Sequence, residues 1–305
     1  MPPNQRSARL LFMPRPFAQK FTGVCAAIGL LAGTASADSG FDFNSGIAFD
    51  SNVSNGQYSG DVKSDTALNI AATASNAWSV GKNARFSADG KLAAQAFDHY
   101  HALNNIAPEI AAAFKVKSDL GAQAPWLNVA AAASQLYANS KVRRGAQYRA
   151  SVAIGKQIDP RWSARGEYRF DKRVAEHGDS EVANLATDVF SQIGHTAAAN
   201  ISYLFNSAAV LQFGYARREG DVTATTLPYY AVYRISSAIA EDDAFGDERY
   251  AYRLHAVTHS ITGTFSLELD RHSALNFSLR RNITHGAGNF NYYNSGFAID
   301  YSYRY

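Results

Sequence analysis

The stretch Phe297-Ala298-Ile299-Asp300-Tyr301-Ser302-Tyr303-Arg304-Tyr305 alternates without a break between large apolar or aromatic side chains and small or polar ones. Successive side chains of a β-strand point to opposite faces. A strand over these residues therefore carries Phe297, Ile299, Tyr301, Tyr303 and Tyr305 on one face and Ala298, Asp300, Ser302 and Arg304 on the other. The first face suits lipid; the second suits water or a packed lumen.

Reading outward from this stretch, the same period recurs. Leu275, Phe277 and Leu279 alternate in the segment before it, and Leu211, Phe213 and Tyr215 further back. Trp162, Ala164, Tyr168 and Phe170 repeat the pattern, and Phe41, Phe43, Ile47 and Phe49 begin it. The segments run to about ten residues, the length a tilted strand needs to cross a bilayer. A soluble β-sandwich also alternates, but its strands are usually nearer five or six residues long. The connections alternate as well. Val80–Ala84, Ile158–Arg161, Asn206–Ala208 and Leu269–Ser273 are tight, whereas Ser54–Lys63, Lys172–Thr187 and Glu219–Tyr250 are long. Short periplasmic turns and long extracellular loops are the habit of membrane barrels. Residues 38–305 are therefore expected to form an all-β, transmembrane, antiparallel up-and-down β-barrel of about twelve strands. Trp78, Phe86, Trp126, Tyr137, Tyr148 and Trp162 lie near inferred strand ends, as interfacial aromatic girdles do.

Composition agrees. Charged residues make up 18% of the 305 residues and aromatics 12%, while mean hydropathy is only −0.23. Alternating strands average out in this way. Residues 1–37 read as a signal peptide: Arg6, Arg9, Arg15 and Lys20 lead an apolar run from Phe21 to Thr34, and Ala35-Ser36-Ala37 is a small-residue cleavage site. Cleavage after Ala37 and delivery to the bacterial outer membrane are the expectation. This segment holds four of the 29 Lys and Arg, none of the 26 Asp and Glu, and the only Cys. The remainder is close to neutral and free of thiols, which excludes disulfides and thiolate metal sites. Its basic residues are scattered among acids, so no nucleic-acid partner is expected.

The terminal stretch Phe297 to Tyr305 resembles the C-terminal signature of bacterial outer-membrane β-barrel proteins, an alternating strand ending on an aromatic residue. The resemblance implies that Phe297, Ile299, Tyr301, Tyr303 and Tyr305 form the signal read by the barrel-assembly machinery. Phe49-Asp50-Ser51-Asn52-Val53 resembles the opening of barrels that export surface lipoproteins or polysaccharides. Those usually carry a periplasmic helical-repeat domain ahead of the barrel; here Asp38 leads almost directly into the first strand.

Catalytic constellations are weak. Barrel phospholipases and deacylases set His and Ser two residues apart on one strand face, and no His-x-Ser occurs. His259-Ser260 and His272-Ser273 are adjacent, hence on opposite faces of any strand. His177 and Asp179 share a polar loop, as do His99 and His101, without a third ligand that sequence can identify. No enzyme, no cofactor and no metal centre is expected.

What remains is the lumen. Alternation turns Arg85, Lys91, Lys115, Arg149, Arg165 and Arg169 inward, with Arg218, Arg280 and Arg304 on later strands. Glu109 and Glu167 are among their acidic companions. Such rings filter solutes in a pore, or plug a narrow barrel as ion pairs. Many other inward positions are Ala or Gly, which leaves space. The expected function is a narrow porin-like channel for small polar solutes, in contact with outer-membrane lipid and lipopolysaccharide. A non-conducting barrel for export, assembly or surface binding is the alternative. The segment from Glu219 to Tyr250 is too apolar to lie fully solvated. One reading packs its first half, with Tyr229, Tyr230 and Tyr233, into the mouth as a constriction, and sets its acids at the rim. The other makes Tyr229–Ile235 and Tyr250–Val257 the arms of a protruding hairpin.

Overall fold

The computed structural model describes residues 38–176 and 186–305; residues 1–37, expected to be a signal peptide, and His177 with Asp179 lie outside them. Twelve long strands hydrogen-bond in chain order: β1 (Asp38–Asp50), β2 (Asp65–Ser79), β3 (Ala84–Phe97), β4 (Asn105–Lys117), β5 (Trp126–Ala138), β6 (Gly145–Gln157), β7 (Trp162–Ala175), β8 (Gln192–Asn206), β9 (Ala209–Thr226), β11 (Tyr250–Glu268), β12 (Ser273–Gly286) and β13 (Asn291–Arg304). A short strand, β10 (Ala238–Glu241), interrupts the connection between β9 and β11. Every pairing is antiparallel, and β13 closes the ring on β1, with Asp42 opposite Arg304 and Phe49 opposite Phe297. A closed ring leaves no sheet edge in the bilayer, so each backbone N–H and C=O in the wall has a partner.

The strands are longer than the alternation marked, 13 residues in β1 and 19 in β11. Hydropathy marks only the lipid-crossing part of a strand, and hydrogen bonding carries the ladders beyond the membrane. Ile47, Leu68, Ile110, Val129, Ile154, Phe213, Ile261 and Leu279 are exposed outward on their strands. Their neighbours in sequence face the lumen.

Four short turns, and one longer connection between β4 and β5, join the strands at the end that holds both Asp38 and Tyr305. Two are built alike. Asp159 accepts the N–H groups of Arg161 and Trp162 at 2.7 and 2.8 Å, and Asp270 accepts those of His272 and Ser273 at 2.7 and 2.9 Å. An Asp side chain that bonds the backbone two residues on holds a tight turn without help from elsewhere. Trp78 stacks on Phe86 and Trp162 packs on Tyr203 near this end, with centroids 5.6 and 4.6 Å apart. Trp126 departs from the girdle expectation. It faces the lumen, lying on the backbone of Gly155, where any Cβ would meet its ring at 2.2 Å. Lys115 Nζ sits 4.5 Å from the ring centroid on β4, the neighbouring strand.

Apolar residues buried at the far end of the barrel form three clusters at the mouth. The largest joins Ala224, Tyr252 and Leu254 to Val232, Ile239, Phe290 and Tyr292.

Candidate functional site: lumen and mouth

The pairing places Arg85, Lys91, Glu109, Lys115, Arg149, Arg165, Glu167 and Arg169 on the face opposite the exposed apolar residues of their strands. Arg218, Arg280 and Arg304 take the same face of β9, β12 and β13. Most are paired. Arg149 meets Glu109 at 2.8 Å, Arg218 meets Asp171 at 2.9 Å, Arg304 meets Asp42 at 2.7 Å and Arg85 meets Asp38 at 3.1 Å. Arg280 bonds Asp50 at 3.3 Å, and Arg165 pairs with Glu167. Lys91, Lys115 and Arg169 have no carboxylate partner among the described residues. Spaces remain between these side chains. One, of about 350 Å³, lies at the turn end among Asp42, Arg85, Asp89, Lys115, Asn128 and Arg304. A second, of about 180 Å³, lies higher, beside Glu109, Arg149, Asp171 and Arg173.

The other end is covered. Pairing of β9 with β8 ends where Gly220 meets Gly194, but pairing of β9 with β11 runs on to Thr226 and Tyr250. A hairpin thus rises beyond the wall, as one of the two sequence readings proposed. Its arms are Glu219–Thr226 and Tyr250–Val257, so the first arm is not Tyr229–Ile235. Those residues belong to the tip, as a helical turn over Tyr230–Tyr233. Val222, Ala224 and Thr226 continue the lumen-side alternation of β9, the one sequence signal that could have found this arm. Gly220 has φ +149°, and a Cβ there would lie 2.2 Å from the Ile193 carbonyl oxygen. Only glycine fits this departure point.

The tip, residues 227–249, lies across the mouth, because it touches all five other connections at this end. From the β1–β2 connection, Asp61 accepts Arg249 Nη1 at 2.8 Å and the Leu227 N–H at 3.1 Å, while Tyr58 packs on Tyr229 at 4.5 Å. Tyr100 of the β3–β4 connection meets the edge of Phe245, centroids 5.0 Å apart. Arg143 of the β5–β6 connection meets Asp242, Nη2 to Oδ2, at 2.5 Å. The Ile239 N–H donates to Ala186 of the β7–β8 connection at 3.0 Å. The Ile235 side chain lies against Gly288 between β12 and β13. β10 adds to β11 where β12 has ended, so its backbone is satisfied as well.

Tyr229 is half-buried against Tyr58. Tyr230 and Tyr233 are exposed and stack on each other, centroids 6.4 Å apart. Val232 and Ile239 fill the interior instead, because they share the face of the tip that meets Leu254 and Tyr252. The acidic half does not all lie at the rim. Asp242 is fully buried, accepting also from Thr225 Oγ1 at 2.6 Å, whereas Glu241, Asp247 and Glu248 are exposed. Burial raises the Asp242 pKa, but the Arg143 guanidinium and the hydrogen bonds from Arg143, Thr225 and Ala244 outweigh it and hold the carboxyl below its usual value. Nothing in the sequence around Arg143, Asp61 or Arg249 marks them as partners.

Asp65, Asp98 and His99 bring ligand atoms within 4.8 Å of one another, the one such group among the described residues. The Asp65 carboxylate already accepts the N–H groups of Thr66, His99 and Tyr100, which anchors the β3–β4 connection. His101 turns away, its Nδ1 2.9 Å from the Phe97 carbonyl oxygen.

No family model matches this chain, and no curated protein does. Among solved structures, an outer-membrane channel from Pseudomonas putida F1 aligns with a TM-score of 0.58 at 10% identity, over 89% of this chain and 96% of that one. The outer-membrane channel DcaP of Acinetobacter baumannii aligns at TM-score 0.43 and 9% identity, over 90% of this chain and 99% of that one. The translocator domain of the autotransporter NalP from Neisseria meningitidis aligns at TM-score 0.39 and 10% identity, over 95% and 96%. The fold is that of a bacterial outer-membrane β-barrel.

Proposed function

We propose that the protein is a narrow channel for small polar solutes whose extracellular mouth is closed by the segment 227–249. The observation that carries this reading is the lumen between the paired charges. Its wall is lined by charged groups and many small side chains, and two polar spaces of about 350 and 180 Å³ stay open beneath the cap. A barrel meant only as a membrane anchor has no need of such space. The similar fold of the Pseudomonas putida channel agrees with it. Solutes that enter would be small and polar, because guanidinium, ammonium and carboxylate groups line the lumen.

One observation favours the second reading, a non-conducting barrel for surface binding: two buried ion pairs hold the cap shut. Planar-bilayer recording separates the two. Thr226 and Tyr250 are direct cross-strand partners, so an Asn-Gly turn can replace residues 227–249 and close the hairpin. On the channel reading, the intact protein opens in brief, infrequent events and the shortened one conducts steadily. A shortened barrel that resists SDS but carries no current would overturn the channel reading.

A further inference from the structure

Charge is distributed unevenly over the outer surface. On β1 to β5 the outward alternation carries no Asp, Glu, Lys, Arg or His at all: Phe41 to Phe49, Thr66 to Trp78, Ala84 to Ala96, Ile106 to Val116 and Leu127 to Tyr137 are apolar or neutral there. On β7 to β12 the same face carries Lys172, His195, Arg217, His259, Arg281 and His285, all in the half of the barrel nearer the mouth. Glu219 and Asp221 are acids of the same face, and Asp221 stands opposite His255. Glu219 pairs with Arg217 at 2.9 Å and approaches His255 at 3.9 Å.

These groups share one level. Arg217 and His259 are direct cross-strand partners, and His259 stands opposite Ile283, between Arg281 and His285 on the next strand. The His259 and His285 rings lie 6.3 Å apart. Tyr215 bonds His259 at 2.8 Å, and the Arg281 guanidinium covers the Tyr293 ring at 5.2 Å. Arg281 bonds Ser295 and has no carboxylate partner among the described residues. Below them the outward side is apolar, with Ile261, Phe265 and Leu267 on β11 and Phe277 and Leu279 on β12. A strand rises about 3.4 Å per residue at a tilt of about 40°, which sets His259 roughly 20 Å above Leu267, near the top of an apolar band about 25 Å tall. A cation on the lipid side is costly at mid-bilayer and nearly free at the interface. Arg281, without a carboxylate partner among the described residues and beside His259 and His285, faces the anionic groups of the lipid at this height.

We propose that this patch binds the phosphate groups of the outer-leaflet glycolipid, lipopolysaccharide. Arg281 is the principal ligand, because a guanidinium engages phosphate oxygens in pairs, and Arg217, which also pairs with Glu219, is the second. His259 and His285 complete the row, and the apolar residues below accept the acyl chains. The proposal rests on the transmembrane placement of the barrel and not on conduction through it.

The full-length protein processed by its host and purified in detergent can be titrated with lipid A, in its diphosphoryl and its dephosphorylated form, and read by native mass spectrometry. The diphosphoryl form should bind at least tenfold more tightly. R217Q with R281Q should reduce that difference below threefold, while the lumen-side pair R165Q with R169Q leaves it unchanged. Equal binding of the two lipids by the unaltered protein would overturn the proposal, whatever the variants do. So would a folded R217Q/R281Q barrel that keeps the full difference. If that variant does not fold, R281Q alone, read the same way, decides. Loss of lipid discrimination with normal bilayer conductance separates a failure here from a failure of the channel reading.

Discussion

Arg143 and Asp242 meet across the mouth in a two-pronged, buried ion pair, Nε to Oδ1 at 3.1 Å and Nη2 to Oδ2 at 2.5 Å, although 99 positions separate them in the chain. The guanidinium also lies over the Phe190 and Phe245 rings, 4.6 and 5.3 Å from their centroids. One cation thus fastens the cap to the β5–β6 and β7–β8 connections together. Removing one partner leaves the other charge buried and unmatched, at a cost of about 3–5 kcal/mol. R143A should therefore free the cap without harming the barrel. Trypsin should then cut after Arg234 or Arg249 at least tenfold faster than in the unaltered protein, while the band stays heat-modifiable in SDS. Unchanged cleavage would show that the apolar contacts alone hold the cap.

The same pair sets a pH dependence. The Asp242 carboxyl titrates below its ordinary value of 3.8 in the folded state. A group whose pKa is depressed on folding contributes stability that is complete above the unfolded value and is lost as pH falls through the folded one. The cap should stay closed from neutral pH down to about 4 and open only in stronger acid. Hydrogen exchange of the 227–249 amides, followed as a function of pH and corrected for intrinsic rates, measures this. Opening between pH 5 and 7 would contradict it.

Gly220 is where β9 leaves β8, with φ +149° and the Ile193 carbonyl oxygen in the space of any Cβ. G220A should distort the base of the hairpin and cost roughly 1–3 kcal/mol in local strain. G121A provides the control, since a Cβ at Gly121 meets nothing within 4 Å. Urea unfolding in detergent should show a lower midpoint for G220A and none of that change for G121A. Equal midpoints would remove the steric argument.

β13 closes the barrel, and Tyr305 exchanges backbone hydrogen bonds with Phe41 at 2.8 and 3.2 Å. Tyr301, Tyr303 and Tyr305 all stand exposed on the outer face. Replacing the three with Ser should lower the amount of protein recovered in the outer membrane several-fold and raise its degradation in the periplasm. The ratio of folded to degraded protein in fractionated cells measures it. Full recovery would mean that the aromatic residues serve only the lipid interface.

Alternation made the wall legible. Whether a side chain faces lipid or lumen depends on its parity within a strand, a local property of the backbone, so Ile261 and Thr262 could be assigned to opposite faces without knowing what either touches. Trp126 obeys the same parity, since Leu127 and Val129 face outward; its position near a strand end suggested a girdle, and the structure shows the ring against Gly155 of β6 instead. Of the mouth, only its apolar content and the hairpin arm Tyr250–Val257 were legible. Asp242, Arg143, Asp61 and Arg249 look like ordinary loop charges, and their pairing exists only because the hairpin leaves the wall at Gly220 and brings the tip over connections up to 189 positions away. Period and turn chemistry are written in neighbouring residues and so determined the barrel. The closing of its mouth is a sum of contacts between segments far apart in the chain, and only the tertiary structure could decide it.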